Sequence, residues 1–360
     1  MNECWMNESP LVREDLETVA ASTAIPWAEL YGRRVLVTGA TGLIGSLLVK
    51  ALLYHADMAG RCMTVVPLYR SPEKLQAVLG HLEPLRRAGL LSPVQGDVCA
   101  TLPEAAAADY IIHTAAVTTS AVMLNRPVDT LLTTVEGTHR ILELARGCGA
   151  VSCLYLSSME VYGRLGHELA VETDLGYVDL AAPRSSYPVG KRLAENLCTA
   201  YAHQYGVRAM CVRPTMVFGP GCSPQENRVY AQFARSVLQG KDIVLHTQGL
   251  SKRDYLYTAD AVLGILGVML KGAAGTAYNI SNQADYVSIR ELAETFASFN
   301  PACRVVVDED PELKKKYAAD VKINLDNSRL NALCPFPRTP LRTQVARLLE
   351  YMKTFQSPES

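Results

Sequence analysis

Ser186-Tyr187-Pro188-Val189-Gly190-Lys191 places a phenol and an ammonium four residues apart. On a helix, positions i and i+4 share one face, so the two side chains become neighbours. A lysine beside a phenol lowers its pKa from about 10 toward the working pH, and the phenolate can then serve as a general base. The spacing recurs by chance in unrelated chains, so it needs company. Upstream, Leu156-Ser157-Ser158-Met159-Glu160-Val161-Tyr162-Gly163 follows an apolar run and can bring a serine hydroxyl beside the tyrosine. A hydroxyl to hold an alcohol, a phenolate to take its proton and an ammonium to tune the phenolate suit oxidation at a carbinol carbon.

Such chemistry needs a hydride acceptor, and Thr38-Gly39-Ala40-Thr41-Gly42-Leu43-Ile44-Gly45 is built to bind one. It lies between the apolar run Val35-Leu36-Val37-Thr38 and a helical pattern from Leu43 to Tyr54. In that context the first glycine allows a tight turn, and the second lets a pyrophosphate reach the backbone. The third glycine allows close packing of helix on strand, and the helix start offers unpaired N–H groups. The spacing GxxGxxG, unlike GxGxxG, points to one branch of dinucleotide-binding enzymes. Gly39, Thr41, Gly42, Leu43, Ile44 and Gly45 are therefore the expected phosphate cradle. An NAD enzyme usually reads the ribose with an acid about 20 residues beyond the turn. Here the second strand ends Leu68-Tyr69-Arg70, and Arg70 suits a 2′-phosphate. The residues themselves leave NAD and NADP open. Asp97 of Gly96-Asp97-Val98 can accept a hydrogen bond from the adenine amino group.

Positioning these groups requires alternating elements. Buried-strand candidates are 63–68, 110–113, 151–157 and 209–213, separated by helical stretches such as 135–146 and 191–205. Alternation of this kind implies an α/β fold, a Rossmann-type doubly wound parallel sheet. After Gly219 the rhythm loosens into loops rich in Gly, Pro, Asn and Gln, as expected of a smaller substrate lobe. The expected division is an N-terminal extension at 1–30, a dinucleotide-binding domain at 31–217 and 255–283, and a lobe at 218–254 and 284–360. Within the extension, 14–22 suits a short acidic helix and Ile25-Pro26-Trp27 a docking segment, the whole packing against the main domain.

Composition agrees with this. Hydrophobic residues are 49% and charged residues 20% of the 360, which argues against disorder. A formal net charge of −1 leaves no global basic field for nucleic acid or an anionic membrane surface. Ten scattered cysteines without a CxxC read as reduced thiols, and seven histidines without an HxxxH suggest no metal site. The acidic start MNECWMNESP lacks a signal-peptide pattern, and no apolar run approaches the roughly 18 residues of a membrane span. A cytoplasmic protein is expected.

Taken together, the motifs resemble an extended short-chain dehydrogenase/reductase of the NAD-dependent epimerase/dehydratase family, which acts on nucleotide-activated sugars. The resemblance covers roughly 31–300. It rests on TGATGLIG, on GDV at 96–98, HTAA at 113–116, SSMEVYG at 157–163 and PRSSYPVGK at 183–191, with RPTMVFGP at 213–220 and KRDYLYTADA at 252–261. Within the family, PRSSYPVGKRLAE followed by ENRVYAQF resembles UDP-glucuronate decarboxylases. The resemblance implies catalytic roles for Ser158, Tyr187 and Lys191, and puts Glu160 at the acidic position of decarboxylases and dehydratases. Val98, Thr114, Ala115, Ala116 and Pro214 would line the cofactor, together with Tyr187 and Lys191. Arg228 and Arg253 would bind the nucleotide diphosphate or a sugar carboxylate. Arg184 reads as a structural partner, and Tyr255 and Tyr257 as packing residues. Met159 stands where dTDP-glucose dehydratases carry an Asp, and Met216 where many relatives have an Asn. The resemblance further implies NAD retained through a closed redox cycle, a nucleotide-sugar substrate and a homodimer. A 4-epimerase, a 4,6-dehydratase and a non-catalytic NADP sensor are the alternatives.

Overall fold

The computed structural model describes residues 3–309 and 320–355. Seven parallel strands form the central sheet: β1 (Arg34–Thr38), β2 (Thr64–Tyr69), β3 (Val94–Gln95), β4 (Tyr110–His113), β5 (Ser152–Leu156), β6 (Ala209–Pro214) and β7 (Ala277–Ile280). Across the sheet they run β7-β6-β5-β4-β1-β2-β3. The chain steps outward from β1 to β3, then starts again at β4 on the other side. Thr38 is paired with Leu68 on one flank and His113 on the other. This reversal opens a crevice at the carboxyl ends of β1 and β4, where doubly wound sheets take their ligands.

The strands are apolar almost throughout because both faces are covered. The core around the sheet lies on both of its faces, with Val35, Val37, Ile112, Leu154 and Val212 on one and Leu36, Ile111, Cys153, Tyr155 and Cys211 on the other. Over the first face lie α1 (Pro10–Ala20) and α2 (Leu43–Ala59), together with a helix at Thr258–Lys271. Over the second lie α3 (Pro127–Gly147) and α4 (Ser186–Tyr205). Both α3 and α4 begin earlier than the sequence pattern suggested. Pro127 opens α3 and Pro188 sits in the first turn of α4, places where a missing N–H leaves no hydrogen bond unmade. Tyr187 is consequently inside the helix with Lys191. The apolar run 261–270 is the buried middle of the Thr258–Lys271 helix, wedged between the sheet and the N-terminal segment.

A second core joins Phe218, Tyr230, Phe233, Tyr255, Leu292, Phe296, Val345 and Leu348. It belongs to helices α5 (Val229–Leu238), α7 (Ile289–Ala297) and α8 (Leu341–Lys353), counting Thr258–Lys271 as α6. A capping box fixes the start of α7: Ser288 Oγ accepts from Glu291 N, and Glu291 accepts from Ser288 N. Four short strands, Val287–Ser288, Lys252–Arg253, Lys322–Leu325 and Leu169–Ala170, form a small sheet in that order. Helix Ser328–Leu333 then returns to the first core through Leu330 and Cys334.

The N-terminal segment is part of the first core. Trp5, Leu16, Val19 and Leu30 are fully buried, and Trp27 stacks on His55 of α2 at 3.9 Å. Its helix starts at Pro10 instead of the expected position 14. All ten cysteine thiols are free. Among the described residues, no helix is long and apolar enough to cross a membrane.

Candidate active site

The chain leaves β1 through Gly39, whose φ of +64° lies in the left-handed region. A Cβ there would sit 2.7 Å from Thr114 Oγ1 and 2.8 Å from Ala115 N, and one at Gly45 would overlap the Gly39 carbonyl oxygen. At Gly42 a Cβ would meet only that oxygen, at 3.4 Å. Helix α2 begins at Leu43 without a side-chain cap, so the N–H groups of its first turn remain for an anion. The turn thus fits a dinucleotide pyrophosphate at Gly39, Thr41, Gly42, Leu43, Ile44 and Gly45.

Three hydrogen bonds tie this turn to the end of β4. Thr38 Oγ1 and His113 Nδ1 are 2.7 Å apart, Thr114 Oγ1 donates to the Thr38 carbonyl at 2.6 Å, and Ala115 N donates to Thr38 Oγ1 at 3.2 Å. Burial, then the Lys191 charge, push His113 down to about 3, so its imidazole is neutral. Thr114 and Ala115 follow directly and face the glycine turn, and Ala116 comes next in the chain. Val98 packs on Gly137 of α3, where a Cβ would approach Val98 Cγ2 to 2.9 Å. Asp97 accepts from Cys99 N at 2.9 Å, and its other oxygen lies 3.6 Å from Arg70 Nη1. The two side chains read as separate cofactor contacts are therefore paired with each other at the exposed ends of β2 and β3. Pro214 closes β6 in register with Ile280.

Ser158, Tyr187 and Lys191 meet at the end of β5. Ser157 is buried there, and its hydroxyl has no hydrogen bond among the described residues. Ser158 caps the short helix Met159–Tyr162, accepting from Glu160 N at 3.2 Å, and its hydroxyl is close enough to Tyr187 to favour the phenolate. Lys191 Nζ donates to the Leu156 carbonyl at 2.7 Å, lying 4.6 Å from the Tyr155 ring centroid and 5.6 Å from that of Tyr187. Burial pushes the Lys191 ammonium down to about 8. Burial, then the Glu160 carboxylate, push the Tyr187 phenol up to about 12, against the Ser158 hydroxyl and the charges of Arg184 and Arg228. The expected lowering by Lys191 is not found in the protein alone. The ammonium is bonded to a carbonyl and stands off the ring, while the phenol is only 7% exposed.

Arg184, read from sequence as a structural partner, bonds the Glu160 carboxylate at 2.9 Å and lies 5.5 Å from the Tyr187 ring centroid. From the second core, Arg228 at the start of α5 comes within electrostatic reach of Tyr187 while bonded to Glu226 at 3.0 Å. Arg253 lies on the small sheet with its Nε buried and unbonded among the described residues. Sequence reasoning missed Asp254. It is fully buried, accepts from Thr215 Oγ1 at 3.0 Å, and is pushed by burial up to about 7. Only its place inside KRDYLYTADA hinted at it. Among the described residues, no three His, Cys, Asp or Glu side chains are grouped to hold a metal ion.

A doubly wound sheet with a glycine turn at its switch point, and Ser158, Tyr187 and Lys191 beside that crevice, defines a dinucleotide-dependent enzyme of the short-chain dehydrogenase/reductase type. The family model for the NAD dependent epimerase/dehydratase family matches residues 35–281, and the chain belongs to that family. It is 31% identical over 240 residues to UDP-glucuronic acid decarboxylase 1 of Xenopus tropicalis, covering 66% of this chain and 53% of that protein. The chain thus spans about half the length of that relative. It is 26% identical over 341 residues to dTDP-D-glucose 4,6-dehydratase of Mus musculus, covering 91% of each. UDP-glucuronic acid 4-epimerase of Bacillus cereus, solved with UDP-glucuronic acid and NAD, shares the fold with a TM-score of 0.73 at 21% identity. That match covers 90% of this chain and 100% of the epimerase.

Proposed function

We propose that this chain decarboxylates UDP-glucuronate through transient oxidation at C4 of the sugar. The observation that carries the reading is the Glu160 carboxylate, two residues beyond Ser158 and close enough to Tyr187 to perturb its phenol. An epimerase needs oxidation, rotation of the keto-sugar and re-reduction, and has no use for a carboxylate there. NAD, held at the glycine turn and by Asp97, Val98, Thr114, Ala115, Ala116 and Pro214, supplies the hydride acceptor and donor when bound. Ser158 holds the sugar 4-hydroxyl while Tyr187 takes its proton, and Lys191 orients the ribose that faces it. Once C4 is a ketone, the hexuronate is a β-keto acid, and CO2 leaves with the ketone as electron sink. Glu160 manages the proton that replaces it at C5. Arg228 and Arg253 hold the diphosphate or the carboxylate, for which guanidinium forks are suited.

The same reading assigns 31–217 and 255–283 to the cofactor and 218–254 and 284–360 to the nucleotide sugar. A homodimer is part of the same reading, supported by Val128, Leu132 and Leu193 exposed on the helix pair α3 and α4, and checked by sedimentation velocity. The match to the mouse dehydratase, over 91% of each chain, supports 4,6-dehydration as the second reading, although Met159 replaces that enzyme type's Asp.

Incubation with UDP-glucuronate in deuterated water should release CO2 and give a pentose carrying deuterium at C5. Glu160→Gln should slow that step roughly 10²–10⁴-fold, the range for one acid–base group, while hydride transfer at C4 survives. Interconversion of C4 epimers alone, with the Gln variant fully active, overturns the decarboxylase reading. A 6-deoxy-4-keto product from dTDP-glucose establishes the dehydratase.

A further inference from the structure

Arg184, Tyr187 and Lys191 stand at i, i+3 and i+7, because the short helix Pro183–Ser185 runs directly into α4. That spacing places all three on one face. Two cations therefore flank the phenol at matched distances, Arg184 at 5.5 Å and Lys191 at 5.6 Å from the ring centroid. They are held differently. Lys191 is buried and bonded to a neutral carbonyl, whereas Arg184 is bonded to the Glu160 carboxylate through Oε1 alone. Glu160 Oε2 has no hydrogen bond among the described residues and is left for substrate.

This arrangement answers a problem the chemistry creates. Tyr187 must become a phenolate while the Glu160 carboxylate stands close by, and two anions in one pocket each oppose the other's ionisation. A cation bonded to one and lying over the other removes the conflict. A half-exposed ion pair elsewhere on the surface would do little beyond holding a loop. This one bridges the two groups that must be charged together.

We propose that Arg184 is a positioning residue of the reaction: it fixes the Glu160 carboxylate beside Tyr187 and offsets its charge, so that phenolate and carboxylate coexist. The assignment rests on the roles given above to Tyr187 and Glu160.

The test is the pH dependence of cofactor reduction in the NAD-loaded enzyme, followed in a single turnover after mixing with UDP-glucuronate or UDP-glucose. Its acidic limb reports ionisation of Tyr187. Arg184→Gln should move that limb up by about 1 pH unit, a tenfold loss of rate on the limb. Arg184→Lys keeps the charge but not the geometry, so its limb should stay near wild type while the rate falls. In a Glu160→Gln background the shift caused by Arg184→Gln should shrink to the part that the Arg184 charge exerts directly on the ring. A constant fall in rate at every pH, with the limb unmoved, makes the pair a loop clasp and overturns the proposal. Should Arg184→Gln fail a thermal-unfolding check, Arg184→Lys decides instead: a limb near wild type with a lowered rate supports the assignment, and an unchanged rate overturns it. Cofactor reduction without CO2 release counts against the decarboxylase reading and leaves the Arg184 assignment standing.

Discussion

At neutral pH a phenol that burial and a neighbouring carboxylate have pushed up to about 12 is almost wholly protonated. In the proposed reaction Tyr187 would become a base only as positive charge offsets that rise, and Arg184 and Arg228 already oppose it. Replacing it would remove the proposed proton acceptor and little else, since the glycine turn and the Thr38–His113 lock lie on other elements. Tyr187→Phe should therefore lower turnover roughly 10²–10⁴-fold while the protein still co-purifies with NAD. Most of the activity surviving in a folded variant would remove Tyr187 from the role. Tyr187, Lys191 and Ser158 were legible because their relation is local: one helical turn, and one loop after an apolar run. The Arg184–Glu160 bond was not. Its partners are 24 residues apart, and only the fold of the intervening loop decides that they meet.

At the scale of elements, the glycine turn shows why composition within a motif matters less than the contacts each position makes. Gly42 has room, whereas a Cβ at Gly45 would run into the Gly39 carbonyl, so α2 could no longer lie close under the turn. Gly45→Ala should cost about 1–3 kcal/mol of stability, as overpacking does, and open the pyrophosphate cradle. Mass spectrometry of cofactor released from denatured protein should find NAD with wild type and little or none with the variant. Full retention would mean the cradle is elsewhere. Recovery of NADP alone from wild type would instead require Arg70 to leave Asp97 for a 2′-phosphate. The elements themselves were readable where both faces of a strand are buried, as in β1, β4 and β6. The starts of α1, α3 and α4 were not, because a proline reads as a break until its place in the first turn is seen.

The whole molecule is joined at a buried polar contact that no local pattern announces. Asp15 of α1 accepts from Tyr257 Oη at 2.9 Å and from Arg347 Nη2 at 2.9 Å, and Arg347 Nε donates to Tyr257 Oη at 2.6 Å. The bonded residues Asp15 and Arg347 are 332 positions apart. The N-terminal segment, the strand leading into α6 and the C-terminal helix α8 thereby meet at one point, so the two cores should unfold together. Burial pushes the Asp15 carboxyl up to about 6, and Arg347 and Tyr257 oppose that rise. Arg347→Met strands the carboxylate, a loss of about 3–5 kcal/mol, which corresponds to a fall in Tm of roughly 4–7 °C in a single transition of a chain this long. The sign of the pH response follows from the raised pKa. The native state holds the Asp15 proton more tightly than the unfolded chain, with its ordinary value of 3.8, so stability from this group falls as pH rises from about 4 through about 6. Without Arg347 that window extends upward, and acidifying the variant from pH 7 toward 5 should recover part of the lost Tm. Asp15→Asn in the Arg347→Met background should recover it at pH 7 and remove the part of the pH dependence that Asp15 contributes. Two separate melting transitions, with the higher one unmoved, would show instead that the N-terminal segment is an independent cover and that the contact joins nothing.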